Sequence, residues 1–253
     1  MDLRASLAGL LVGTVAGMSG IGGSALLAPL LILVLGVEPV VAVGTDLVYS
    51  VPMKLVAAFG HLRQGTVDRD VVRRLSIGGI PGALAGLATF WILRARLGIV
   101  HLDRIERHAI GIIILCAALV AVVLMVVRRG SPPAATRSSP ALVIAIGALV
   151  GFLVALTSIG SGSITLPLLL LALPMIGLRS LIGSEIVFGA IIVPVAALGH
   201  TAFATVDWHL ALALAIGAVP GAFLGVWLCG LLDVSILRPV VMCVLAYAGF
   251  KLL

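Results

Sequence analysis

The sequence contains few charged residues. Asp, Glu, Lys and Arg make up only 10% of its 253 residues, while 62% are hydrophobic. Soluble domains normally carry about a quarter charged residues. Long runs contain no Asp, Glu, Lys or Arg, among them 5–37, 75–93, 138–178, 186–206 and 208–232. Each is long enough for a membrane helix of about 20 residues, and none alternates as a membrane β-barrel would. The sequence therefore excludes a soluble domain and predicts an all-α, polytopic integral membrane protein.

Cysteine is also scarce, and histidine lacks metal-binding spacing. Cys116, Cys229 and Cys243 lie singly in apolar stretches, so we interpret them as buried small hydrophobic residues. None of the five histidines forms an HxxxH or HExxH pattern. Neither a metal nor another cofactor is predicted.

The charges that are present are mainly basic, and the formal net charge is +6. They occur in short loops between apolar runs, which is the positive-inside pattern of membrane proteins. Nucleic acid is therefore not expected as a partner. Arg4 before an apolar stretch also resembles a signal peptide, but this stretch belongs to an internal repeat and is interpreted as mature structure.

The chain consists of two tandem copies of one unit. Residues 57–86 match residues 196–225 at 14 of 30 positions, as in AAFGHLRQGTVD and AALGHTAFATVD. A polar, proline-rich stretch joins the copies and is too hydrophilic for lipid. We divide the chain into a first transmembrane repeat (1–129), a linker (130–139) and a second transmembrane repeat (140–253).

Each unit begins with an apolar stretch that small residues interrupt, MSGIGGS in the first copy and TSIGSGS in the second. The flanking pieces are short for full spans. This predicts a broken or re-entrant helix pair whose freed backbone groups are satisfied by neighbouring helices. Asp68 and Asp207 are the expected N-caps of the middle helix of each unit. Three continuous helices should follow each pair, over 38–60, 69–93 and 104–128 and over 178–200, 208–231 and 235–253.

An odd number of crossings per unit would invert the second copy relative to the first. The loop at 61–74 carries four arginines, whereas its equivalent at 200–209 has no Lys or Arg. Equivalent loops on opposite membrane faces would differ in this way. This favours inverted repeats, a transporter architecture with its substrate site near the midplane. The arginine-rich loop at 94–107 conflicts with this scheme, which places it outside.

The interrupted segments are candidates for binding an anion. Backbone N–H groups, hydroxyls and the positive ends of half-helices favour negative charge. Close helix packing by small residues is the alternative interpretation. The candidate binding residues are Ser19, Gly20, Gly22, Gly23, Ser24, Thr157, Ser158, Gly160, Ser161, Gly162 and Ser163, together with Thr45, Lys54 and Ser184.

Two acidic residues, Asp46 and Glu185, occupy matched positions inside apolar segments, each after a glycine and a hydroxyl residue. A carboxylate at the centre of a membrane helix costs on the order of 3 kcal/mol. We therefore expect either coupling to a proton or sodium ion, or capping of the broken helices. Lys54 lies about 12 Å further along the helix than Asp46, and Val193 replaces it in the second copy. It would attract the anion or extend to the membrane interface.

Four motifs stand out, and the second copy echoes each of them. They are the glycine-rich opening GIGGSALLAPLL, the AVGTD segment at 42–46, the turn from Gly60 to Asp68, and the IPGALAG helix. Together they resemble the sulfite exporter TauE/SafE family of bacterial membrane transporters over nearly the whole chain. The resemblance implies a carrier for small anions, often sulfur oxyanions or organosulfonates, in the inner membrane. Ser24 and Glu185 depart from the family's usual residues and leave the particular substrate open.

Two other functions are compatible with these residues. The GMSG sequence around Ser19 looks like part of the rhomboid protease motif, with His61 or His200 as a base, but Ser19 aligns with Thr157 in the repeat. Otherwise we expect a structural role for the two histidines, which end matched helices. A passive anion channel or scaffold is the third alternative. We predict a secondary carrier, not an enzyme, whose partners are a small anion, the lipid bilayer and a coupling proton or sodium ion, with a homodimer left open.

The unequal loop charges predict that residues 61–74 face the cytoplasm and residues 200–209 the opposite side. Single cysteines placed in each loop of a cysteine-free protein should therefore react differently with a membrane-impermeant maleimide in intact cells. We expect strong labelling at 200–209 and little at 61–74, with lysed cells as the control for reactivity. Equal labelling of both loops in intact cells would show that the repeats are parallel.

Overall fold

The computed structural model describes residues 3–19, 23–127, 139–203, 205–231 and 234–253. The regular secondary structure within these ranges is entirely helical. Five helices are long and apolar enough to cross a membrane, which confirms the all-α, polytopic class. The helices are α1 Leu3–Ser19, α2 Gly23–Leu33, α3 Pro39–Arg63, α4 Arg69–Leu97, α5 Ile99–Val127, α6 Pro140–Thr157, α7 Thr165–Ala172, α8 Leu178–Ala202, α9 Trp208–Leu231 and α10 Val234–Leu252.

The continuous helices lie close to their predicted positions. Asp68 accepts hydrogen bonds from the N–H groups of Asp70 and Val71, and Asp207 accepts one from Leu210, so both predicted N-caps are confirmed. α3 and α4 extend beyond residues 60 and 93, because their last turns hold basic residues that suit the negative end of a helix. α5 begins before the predicted residue 104, directly after Gly98 ends α4 at a φ of 72°.

The second unit has an interrupted helix where its small residues lie, and the described helices of the first unit lie on either side of the small residues there. α1 ends at Ser19 before α2, and α6 ends at Thr157 before α7. α2 has 11 residues and α7 has 8, which correspond to about 16 and 12 Å. Neither crosses a hydrocarbon core of about 30 Å. α2 and α7 are therefore half-helices.

The two units exchange helices around a central pair. α3 and α8 pack against each other and are the most deeply buried candidate spans. On either side of this pair, α1 of the first unit packs against α9 of the second, and α6 of the second packs against α4 of the first. Each unit thus places its first helix against the middle helix of the other.

Glycines line these exchanged contacts. A Cβ added to any glycine in the α1–α9 contact would lie within 3 Å of a carbonyl oxygen on the facing helix. Small residues at four-residue spacing allow backbones in lipid to approach this closely. The packing role of small residues is therefore visible here, outside the interrupted segments. The glycines are Gly9, Gly13 and Gly17 on α1 and Gly217, Gly221 and Gly225 on α9.

Equivalent loops lie at opposite ends of the central pair. Thr66, in the loop after α3, lies against Gly183 near the start of α8. Thr205, in the loop after α8, lies against Gly44 near the start of α3. The two central helices therefore run in opposite directions. This arrangement is the one inverted repeats require, and the inverted topology itself stays a prediction.

The burial predicted for two cysteines is wrong. Cys116 on α5 and Cys243 on α10 are both exposed. An apolar side chain of a membrane helix need not be covered by protein, because lipid is as apolar as a protein core. The side chain of Cys229 lies outside the described part of the chain.

The glycine contacts predict the effect of adding a side chain to α9. Gly221 faces the backbone of Leu10 and Thr14 on α1, so Gly221→Val should separate the helices and destabilise the fold by roughly 1 to 3 kcal/mol. Gly177→Val is the matched control, because no atom lies within 4 Å of a Cβ there and its φ is −59°. Thermal unfolding in detergent measures both, and equal melting temperatures would contradict glycine-mediated packing.

Candidate functional site

The interrupted segment of the second unit turns the chain inside the bundle. Residues 157–163 are all buried. Ser158, Gly160 and Gly162 have φ values of 59°, 142° and 97°, in the region that side-chain-bearing residues rarely adopt. The two glycines therefore allow a turn that a continuous apolar helix could not make.

Three buried hydroxyl groups in this turn have no hydrogen-bond partner within the described ranges. They belong to Ser158, Ser161 and Ser163, each at most 2% exposed. The backbone bonds that lead into α7 begin with the N–H of Ile164, which donates to the Gly160 carbonyl at 3.3 Å. The N–H groups just before it are those a helix leaves open at its N-terminus. Since buried polar groups normally have partners, these donors together form a candidate anion site.

Two threonines beside this turn are already engaged. The Thr157 hydroxyl donates to the Leu153 carbonyl at 2.9 Å and is 3.4 Å from the N–H of Ile159. The Thr165 hydroxyl donates to the Gly160 carbonyl at 2.9 Å. Thr157, a predicted binding residue, thus shapes the turn, and the serines supply the open hydroxyls.

The structure describes only the two ends of the equivalent segment in the first unit. Ser19 is the last residue of α1, and Gly23 and Ser24 are the first two of α2. Gly20 and Gly22 lie outside the described residues, and so do the side chains of Ser19 and Ser24. The described parts of α1 and α2 thus lie on either side of the predicted break, while the break itself and the anion contacts of these five residues stay predictions.

The two matched carboxylates lie in the centre of the bundle. Asp46 on α3 and Glu185 on α8 are both completely buried. Lys54 is 3% exposed, and its Nζ lies 3.7 Å from Oε1 of Glu185. The interpretation that Lys54 extends to the membrane interface is therefore wrong, because an opposite charge on the facing helix holds it inside.

A glycine makes room for this lysine. A Cβ added to Gly189, one turn after Glu185, would lie 2.7 Å from Nζ of Lys54 and 3.1 Å from its Cδ. Lys54 therefore lies across α8 at Gly189. Beside the ion pair is a cavity of about 10 Å³, which Ala16 and Gly17 of α1 also line. This is close to the space one water molecule needs, and it adjoins the last turn before the first interrupted segment.

Thr45 and Ser184 each accept a hydrogen bond from the other unit, and their predicted contact with the anion stays a prediction. The Thr45 hydroxyl accepts a hydrogen bond from the N–H of Asp207 at 3.0 Å, and the Ser184 hydroxyl accepts one from the N–H of Asp68 at 2.8 Å. Each therefore holds the loop of the other unit. We leave both hydroxyls out of the anion site proposed below.

His61 and His200 support the same two loops. Nδ1 of His61 lies 2.9 Å from the Thr66 hydroxyl, and Nδ1 of His200 lies 3.1 Å from the Thr205 hydroxyl. Nε2 of His200 also contacts the Ala155 carbonyl at 2.9 Å. Each histidine precedes its threonine by five residues, and this spacing in both copies is a signal that could have revealed the contact from sequence.

The chain is similar to known proteins over nearly its whole length. Residues 5–252 match the family model described as Sulfite exporter TauE/SafE. The chain belongs to this family. The "Probable membrane transporter protein YjnA" of Bacillus subtilis (strain 168) is 35% identical over 263 residues, which cover 100% of both chains. The "Probable membrane transporter protein YdhB" of the same organism is 24% identical over 247 residues, 96% of each. No solved structure matches the chain.

Membership of the TauE/SafE family confirms the resemblance carried by the four motifs. This TauE/SafE protein is a multi-pass membrane transporter and not an enzyme. The serine protease interpretation of Ser19 is therefore wrong. His200 could not easily serve it in any case, because both its ring nitrogens have partners in the bundle.

Proposed function

We propose that this TauE/SafE transporter is a secondary carrier for a small anion of the sulfur oxyanion or organosulfonate class. The observation that carries the proposal is the cluster of Ser158, Ser161 and Ser163 hydroxyls, which are buried without partners at the start of α7. The family description names a sulfite exporter. The relatives from Bacillus fit a place in the bacterial inner membrane.

The chemistry of this cluster favours an anion with several acceptor oxygens. Each serine hydroxyl can donate one hydrogen bond, and the open N–H groups before α7 can only donate. The positive end of a helix stabilises nearby negative charge by roughly 0.3 to 2 kcal/mol. A sulfite or sulfonate group presents three oxygens to such donors. No lysine or arginine lies within residues 157–163, so a cation that neutralises the anion has to come from another segment.

A carrier fits this burial better than a passive channel. All of residues 157–163 are buried, so an anion reaches them only when the surrounding helices move. A channel would keep a path past these residues open. We propose that Asp46 and Glu185, buried on the central helices, couple this movement to a proton or a sodium ion.

The serine cluster predicts a loss of anion affinity when its hydroxyls are removed. Ser161→Ala should weaken sulfite binding by about 1 to 3 kcal/mol, the value of one hydrogen bond to a charged group, and Ser161→Ala/Ser163→Ala should weaken it further. Thr89→Val is the control, because the exposed Thr89 hydroxyl bonds only to the Ala85 carbonyl of its own helix. Calorimetry on purified protein measures the affinities. Unchanged affinity in the folded double variant would place the site elsewhere.

The buried carboxylates predict that driven uptake and exchange respond differently to Asp46→Asn. Uptake of labelled sulfite into proteoliposomes under a proton gradient should fall more than sulfite exchange without a gradient, because only uptake requires the group to change protonation in each cycle. Asp70→Asn is the control, since Asp70 pairs with Arg74 at the protein surface. A parallel fall of both activities with protein abundance would show that Asp46 is structural.

A further inference from the structure

We propose that Lys54 is a cation for which Glu185 and the transported anion compete. Glu185 forms an ion pair with Lys54 when no anion is bound. The incoming anion replaces the carboxylate, which then takes up one proton from the aqueous side. This inference rests on the anion-carrier function proposed above, and it adds the residue that sets how many protons move with each anion.

The ion pair is held by charge and not by close fit. The separation of 3.7 Å between Nζ of Lys54 and Oε1 of Glu185 exceeds the roughly 2.7 to 2.9 Å of a charge-assisted hydrogen bond. Neither carboxylate oxygen of Glu185 has a hydrogen bond to the described residues. A buried pair needs such bonds to offset the loss of hydration. A competing anion therefore has few contacts to break.

The pair exists in one unit only. The positions equivalent to Asp46, Ser50 and Lys54 are Glu185, Gly189 and Val193. In the first unit Ser50 donates to the Asp46 carbonyl. In the second unit, glycine at the same position leaves the space through which Lys54 reaches the carboxylate. Lys54 of the first unit therefore reaches Glu185 of the second, and Val193 stands at the position equivalent to Lys54.

The pair also lies where a transported anion could reach it. The small cavity beside Lys54 and Glu185 is bounded by Ala16 and Gly17 in the last turns of α1. α1 ends at Ser19, where the first interrupted segment begins. The pair therefore faces the last described turns of α1 across a space about the size of one water molecule.

Charge neutrality fixes the number of protons. Without an anion, the positive Lys54 and the ionised Glu185 have no net charge. With a monovalent anion bound to Lys54, the site is again neutral if Glu185 is protonated. An anion on Lys54 beside an ionised Glu185 would leave one uncompensated negative charge in a buried site, which is strongly unfavourable. A monovalent anion should therefore bind together with one proton.

Among the described residues, we find no second cation beside Glu185 on the helices that pack against α8. α8 packs against α3, α4, α6 and α7, of which α6 and α7 contain no titratable residue. The charged residues of α4 lie in its first two turns and its last turn. The other buried titratable side chains on α3 and α8 are Asp46, Tyr49, His61 and His200. In the described part of the chain, Lys54 is the cation within 4 Å of Glu185.

Proton uptake on binding tests the inference. Methanesulfonate is the probe, because it carries no proton near neutral pH. Weakly buffered protein in detergent, with a pH dye at about pH 7.5, should take up about one proton per anion bound. The affinity for methanesulfonate should fall about tenfold for each unit by which the pH rises, over the range in which Glu185 is ionised in the anion-free protein. Glu185→Gln should take up no proton and bind independently of pH, while Asp70→Asn should behave as the unmodified protein does.

A neutral double variant separates competition from a purely structural pair. Lys54→Met/Glu185→Gln removes both charges, so the folded bundle keeps its charge balance, and its methanesulfonate affinity should fall at least tenfold. Unchanged affinity in this variant, or binding to the unmodified protein without proton uptake, would overturn the competition and leave the anion carrier standing. Failure of the unmodified protein to bind either methanesulfonate or sulfite would instead overturn the proposed function and this inference with it.

Discussion

A backbone that leaves its helix inside a membrane must find hydrogen-bond partners within the protein, and this requirement organises the bundle. The half-helices α2 and α7 are too short to cross the hydrocarbon core, so their open ends need partners from the surrounding helices. The central pair and the exchanged pairs provide that enclosure, and glycine contacts draw the exchanged helices close. The turn before α7 still holds three buried serine hydroxyls without a hydrogen-bond partner among the described residues. These hydroxyls, with the N–H groups that a helix leaves open at its start, form the candidate anion site.

Features with a local cause could be predicted from the sequence. The lengths of the apolar runs predict the membrane spans, and the small residues of the second unit predict the break before α7. Asp68 and Asp207 predict the N-caps of the helices that follow them. The pairing of Lys54 with Glu185 could not be predicted, because it depends on how two helices far apart in the sequence are placed and on the space left at Gly189. The roles of Thr45 and Ser184 escaped for the same reason, since each accepts a hydrogen bond from the other unit.

Burial is the other feature that sequence alone could not give. Cys116 and Cys243 lie in stretches as apolar as the centre of the bundle, yet both are on its outer surface. In water the hydrophobic effect separates inside from outside, but lipid removes that distinction, so hydropathy marks the span and not its inward face. Polar residues at matched positions, such as Asp46 and Glu185, were the better guide to the interior.

The exchange of helices has a mechanical consequence. α1 is joined to α9, and α6 to α4, by backbone contacts too close to slide easily, because each glycine faces a carbonyl of its partner. Any hinge or rocking motion must therefore move each of these helix pairs as one rigid body, which combines a helix from the N-terminal part of the chain with one from the C-terminal part. Opening of the bundle would then separate the α1–α9 and α4–α6 pairs from the central α3–α8 pair.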